Sequence, residues 1–255
     1  MSKNYELLQA DFRLGVAPTF AARTSSTAET IGARETVDVA QVLPNVEPEA
    51  REEALKLVQR LFLITQEKSP SAVVFAGIDS SVGCSWLCPV AAKLLASSIP
   101  GSVCLVEGNL RSPSLVDALK LDPDTGLVES LRMDGPIRKF TRQLGLDNLW
   151  LLPAGAPAQD CTVLLNSDRM RERVGELRAE FDYLIVSAPP LTAFADGMVL
   201  GGMADGVVLI LEANSTRREA ALRVTQNLRT TDIPVLGAVL NNRTFPIPTA
   251  LYKRL

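Results

Sequence analysis

Between Ala76 and Leu87 the chain reads Gly77-Ile78-Asp79-Ser80-Ser81-Val82-Gly83-Cys84-Ser85-Trp86. Small residues let backbone N–H groups converge on a phosphate; a full phosphate cradle also needs a lysine for the outer phosphates and a Ser or Thr for magnesium. Gly77, a small polar stretch, Gly83 and Ser85 stand in that order, but Cys84 occupies the lysine position. Ser80, Ser81, Gly83 and Ser85 can cradle an anion at a helix start without a lysine. An ordinary strand–helix turn with a serine cap is the alternative, and these residues alone leave both readings open.

The elements around this loop alternate. Ala72–Ala76 is an apolar run of buried-strand type, and residues 85–97 follow as a helix with Pro89 in about its first turn. Further strands are expected at 103–106, 149–152, 183–186, 207–211 and 235–240. Helices are expected at 49–66 (with Leu55, Val58, Phe62 and Leu63 at helical spacing), 169–180, 195–203 and 217–229, with shorter ones near 113–119 and 127–133. Strands that are apolar throughout belong to a sheet covered on both faces. The economical fold is α/β, a doubly wound and mostly parallel sheet in three α/β/α layers. Ligands of such sheets sit beyond the carboxyl ends of the strands. Candidate site residues therefore fall at 77–86, 107–113, 187–196, 212–217 and 241–243. Residues 1–45 read as a flexible segment and linker, 46–245 as the α/β domain and 246–255 as a tail.

Composition narrows the chemistry. The 255-residue chain contains no histidine, which removes Ser-His-Asp and Cys-His catalysis and histidine-containing zinc sites. Cys84, Cys88, Cys104 and Cys161 form no CxxC pair, and they read as small buried hydrophobes, although Cys84 and Cys88 are one helical turn apart. A formal net charge of -3 argues against nucleic acid as a partner. No apolar run approaches the roughly 20 residues that cross a bilayer, and the start of the chain lacks the apolar core of a signal peptide. The expected location is cytoplasmic, with peripheral association at the inner membrane face.

Six segments, in order, carry a resemblance: the loop at 77–85, VCLVEGNLRSPSL at 103–115, LLPAGAPAQDCTVLL at 151–165, FDYLIVSAPP at 181–190, Ala195-Asp196 with ADGVVLIL at 204–211, and STRRE at 215–219 with LGAVLN at 236–241. Over about residues 50–245 the chain resembles the bacterial tyrosine autokinases of capsule and exopolysaccharide synthesis, which have a P-loop NTPase-like fold and are related to septum-site and partition ATPases. The resemblance implies ATP and Mg2+ as cofactors, a membrane adaptor of the polysaccharide chain-length or co-polymerase type as partner, and homo-oligomers. It places Ser80, Ser81, Val82, Gly83, Cys84, Ser85, Trp86, Asn241 and Asn242 at nucleotide-binding positions, and Ser85 and Glu107 at metal positions.

The departures fall on charged positions. Cys84 replaces the loop lysine, Glu107 and Asn109 replace the two aspartates of the second motif, and Ser187 replaces the aspartate that closes the FDYLIV strand. Glu107 adds a methylene, a displacement of about 1 Å that matters at phosphoryl centres. Phosphoryl transfer is mostly positioning and electrostatics, and one lost group costs ~10²–10³ in rate. The sequence thus predicts a nucleotide site with none of its catalytic positions intact and a regulatory or scaffolding role. The alternatives are a residual tyrosine autokinase or ATPase with an atypical loop, or a partition-type ATPase. The family's Glu-x-x-Arg-x-x-Arg helix has its nearest match in Glu53-Ala54-Leu55-Lys56-Leu57-Val58-Gln59, which weakens the expectation of a ring. Tyr252 is the one tail tyrosine that could accept phosphate, and docking or packing is the plainer role. Asn241 and Asn242 can meet a base or serve as αL or capping residues. Trp86 can narrow the loop or pack beneath it, with core packing the plainer reading, and Arg111 and Arg217 follow strands and can face phosphate, although solvated surface arginines are the commoner outcome.

Overall fold

A computed structural model describes residues 48–64, 69–79, 83–121 and 125–242. Seventeen elements follow in order. Helix α1 (Pro48–Val58) runs into a π turn at Gln59–Leu63. Strand β1 (Ala72–Gly77) precedes α2 (Cys84–Ser98), β2 (Val103–Glu107), α3 (Leu115–Ala118), α4 (Leu127–Arg132) and a 3-10 turn at Ile137–Phe140. Strands β3 (Arg142–Gln143) and β4 (Leu149–Leu152) lead to α5 (Cys161–Leu165), α6 (Asp168–Glu180) and β5 (Tyr183–Ala188). The chain closes with α7 (Asp196–Gly202), β6 (Gly206–Glu212), α8 (Arg218–Thr230) and β7 (Val235–Asn241).

The seven strands form one sheet in the order β3-β4-β2-β5-β1-β6-β7. Every pair is parallel except β3 with β4. β1 and β2 are buried along their whole length, as continuous apolar runs require when helices cover both faces. One face packs Ala54, Val58, Cys88, Ala92, Leu95 and their neighbours from α1 and α2 against Val73, Phe75 and Leu105. The other packs Met170, Leu177, Leu200, Val224 and Leu228 from α6, α7 and α8 against Val74, Val106 and Leu184. The α/β, mostly parallel, three-layer expectation is what the structure shows.

Three local expectations change. The helix expected over 49–66 leaves α geometry at Gln59: the π turn buries Leu61 and Phe62 and leaves Leu63 40% exposed, so the apolar face is not the one that simple helical spacing gives. Pro89 lies in the second turn of α2 rather than the first, where its missing N–H leaves the Ser85 carbonyl without a helical donor. The 3-10 turn, β3 and α5 have no counterpart in the sequence reading; each is five residues or shorter, too short for periodicity to register. The segments 1–45 and 246–255 lie outside the described residues.

Candidate functional site

Parallel strands bring their carboxyl ends to one edge of the sheet, so Gly77, Glu107, Ala188, Glu212 and Asn241 mark the rim of one crevice. The start of the phosphate-type loop is fixed there: Leu191 N–H donates to the Gly77 carbonyl at 3.0 Å, and the Thr192 hydroxyl donates to the Ile78 carbonyl at 2.8 Å. Ser80, Ser81 and Val82 lie outside the described residues. Gly83 caps α2 with φ +101°, a conformation that favours glycine, and a Cβ there would come within 2.7 Å of Asn241 Nδ2.

Asn241 is 8% exposed, and its Nδ2 is the one buried side-chain nitrogen or oxygen without a hydrogen-bond partner among the described residues. A donor left unpaired in the interior is costly unless something supplies an acceptor. Asn242 is left-handed at φ 55° and donates to Glu212 Oε1 at 3.2 Å, which fits the αL alternative for that residue.

The charged corner of the crevice is closed in on itself. The Cys84 thiol is buried and reaches the Phe75 carbonyl at 3.9 Å. Cys88 is fully buried, and burial first, then its contact with Cys84, pushes its thiol up. Glu107 is wholly buried at the end of β2, opposite Ser187 in the register with β5. Its Oε2 accepts the N–H groups of Ser114 at 2.9 Å and Leu115 at 2.8 Å, and its Oε1 accepts that of Asn109 at 3.3 Å. Burial outweighs those donors and raises the carboxyl to about 7. Asn109 is spent in the same way, its amide donating to the Ser112 carbonyl at 2.9 Å and its Oδ1 accepting Ser112 N–H at 3.2 Å.

The structure therefore brings Gly83, Cys84, Glu107, Asn109, Ser187 and Asn241 together, with Ser85 in the first turn of α2. Glu107 is turned onto its own loop: its two oxygens accept three backbone N–H groups, and Ser187 is a further hydrogen-bond partner. No cluster of three or more Cys, Asp or Glu suited to a metal occurs among the described residues. Trp86 is half-buried against the α2-side core, as expected, and Arg217 is exposed at the start of α8.

Arg111 lies at the surface, as expected, but it is paired: its Nε donates to Asp196 Oδ2 at 2.6 Å, and its guanidinium lies 4.5 Å from the centre of the Phe194 ring. Asp196, 2% exposed, and Thr162 complete this cluster. Asp196 falls in the candidate stretch 187–196 and in the resembling Ala195-Asp196 segment, but an aspartate opening a helix carries no sign of a partner 85 residues away.

No family model matches the chain. It is 30% identical over 141 residues to the tyrosine-protein kinase YwqD of Bacillus subtilis, covering 55% of this chain and 60% of that protein, so the chain spans less than two thirds of the relative's length. The kinase domain of the Escherichia coli tyrosine kinase ETK superposes with a TM-score of 0.73 at 20% identity, over 85% of this chain and 86% of that one. The septum site-determining protein MinD of Pyrococcus horikoshii, solved with Mg-ADP, gives 0.52 at 14% identity, over 71% and 76%. At those identities the superpositions speak for the fold, a P-loop fold with a mostly parallel sheet. The homologues of this chain are bacterial tyrosine-protein kinases of capsule and exopolysaccharide type.

Proposed function

We propose that this chain is a catalytically degenerate, tyrosine-autokinase-like protein that serves as a regulatory or scaffolding subunit in exopolysaccharide or capsule biosynthesis or export. The observation that supports this most is Glu107. The carboxylate at a magnesium position binds three backbone N–H groups of its own loop, with uncharged Cys84, Asn109 and Ser187 around it. Buried charges need partners. A corner without a cation, its one carboxyl raised to about 7, folds without nucleotide or metal, and it gives a transferring phosphoryl group no positive charge to stabilise it. In this reading the fold, presented to a membrane adaptor of the co-polymerase type from the cytoplasmic side, is the functional element. No helix among the described residues is long and apolar enough to cross a membrane.

A second reading has its own support. The unpaired Asn241 amide beside Gly83 and the N–H groups that open α2, which have no partner within a helix, are all donors, which suits retention of a nucleotide or another phosphate without turnover. Calorimetric titration with ATP, with and without Mg2+, separates the two. The natural chain is expected to show no magnesium-dependent binding tighter than about millimolar. The restored variant Cys84→Lys, Asn109→Asp, Ser187→Asp is the positive control. Micromolar Mg-ATP binding by the natural chain, or phosphate on Tyr252, would overturn the degenerate reading.

A further inference from the structure

The loops after β2 and β5 flank the crevice, and the protein's own side chains fasten them to each other. Arg111, in the first loop, donates to Asp196 through Nε at 2.6 Å, and its Nη2 lies 3.5 Å from Asp196 Oδ1. Asp196, where the second loop enters α7, also accepts the Thr162 hydroxyl from the start of α5 at 3.1 Å. The guanidinium covers Phe194, two residues before Asp196. Within the first loop, Glu107 and Asn109 are satisfied by the backbone around them.

We propose that Arg111 and Asp196 form a latch that holds the loops after β2 and β5 together at the mouth of the crevice. In nucleotide switches, segments of this kind are ordered by contacts to the outer phosphate and its metal. Here a carboxylate with 2% side-chain exposure and a forked cation supply the attraction internally. Parting the loops would leave Asp196 buried without its partner, a state that is strongly disfavoured. Two donors of one rigid plane also fix orientation, which a lysine point charge does not. Arg111 is thus a positioning residue acting through Asp196. The latch does not rest on the loss of turnover, because it concerns the ligand-free protein.

Hydrogen–deuterium exchange on the full chain tests this. Arg111→Ala is expected to speed amide exchange about tenfold or more in both 107–115 and 189–196, while β1 and β6 keep their natural protection. Arg111→Lys is expected to fall between Ala and the natural chain. Arg111→Ala combined with Asp196→Asn is expected to exchange no faster than the faster single variant, as a shared interaction requires. Loosening confined to the loop of Arg111, or full additivity in the double variant, would overturn the latch. If Asp196→Asn does not fold, Thr162→Val takes its place, with a smaller rise in the same two segments expected and a rise in 189–196 alone counting against the latch. Protection gained on adding micromolar Mg-ATP to the natural chain would overturn the degenerate-site reading, while the latch is decided by the ligand-free exchange alone.

Discussion

Two carboxylates at opposite ends of the sheet perform the same local task under opposite electrostatics. At the amino end of β1, Asp205 accepts the N–H groups of Ser71 at 2.7 Å and Ala72 at 2.8 Å, and Arg178 donates to it at 3.0 Å. Burial works against its charge, but Arg178 and the backbone donors win, and the carboxyl is held below its ordinary value. At the carboxyl end of β2, Glu107 has three backbone donors, a side-chain hydrogen bond with Ser187 and no ion pair, and burial wins. Hydrogen bonds from neutral groups alone do not keep this deeply buried carboxylate ionised. A cation or partial solvation does, and the amino end of the sheet has both. At the carboxyl end Cys84, Asn109 and Ser187 stand around Glu107, and none of them carries a positive charge.

The largest expected effect is the pH dependence from Glu107. Its carboxyl goes from an ordinary 4.5 to about 7 in the folded protein. Between those values the folded state holds a proton that the unfolded chain has lost. Stability therefore falls as pH rises from about 4.5 to about 7, by about 3 kcal/mol, and levels off above that. Chemical denaturation at half-unit pH steps is expected to show this decline, and Glu107→Gln to flatten it. A natural chain whose stability rises steadily from pH 5 to pH 7.5 would break the comparison.

Asp205 should behave in the reverse sense. Its folded-state carboxyl lies below the ordinary 3.8, so its contribution is present above that value and is lost as pH falls through the folded value. Asp205→Asn keeps the shape, weakens the two backbone bonds and leaves Arg178 without its ion. The site is partly open to solvent, so the expected cost at pH 7 is about 1–2 kcal/mol, discounted for screening. An Asp205→Asn chain as stable as the natural one at pH 7 would show that the backbone bonds alone suffice, and the contrast with Glu107 would lose its cause.

Much of this was legible in the sequence, for physical reasons that differ from element to element. Apolar runs such as AVVFAG and VCLVE report burial on both faces directly, so the sheet and its layers could be read. The identities at 84, 107, 109 and 187 were also visible, and with them a corner of one carboxylate among uncharged residues. The orientations were not. A carboxylate following a strand looks the same whether it faces a metal or curls back onto Ser114 and Leu115. The role of Gly155 was hidden for a similar reason: it has φ +88°, and a Cβ there would sit 1.9 Å from Glu129 Oε2, the carboxylate that accepts Gly126 N–H. That contact joins α4 to the loop after β4, 26 residues on, and no periodicity encodes it.

The smallest expected effect lies on the outer surface of α1. Lys56 pairs with Glu52 at 3.1 Å and Glu53 at 2.9 Å, so by distance alone it rivals Arg178. Its side chain is 46% exposed and its partners are 67% and 73% exposed. Water already solvates all three charges, so pairing them gains little and orders three long side chains. Lys56 also sits in the last turn of α1, where a cation favours the helix dipole, but alanine's higher helix propensity offsets that loss. Lys56→Ala is expected to leave the denaturation midpoint unchanged within error at low and at physiological salt. A salt-dependent drop as large as that of Asp205→Asn would mean that a charge needs only a close partner, whatever its burial, and Glu107 would then need another explanation.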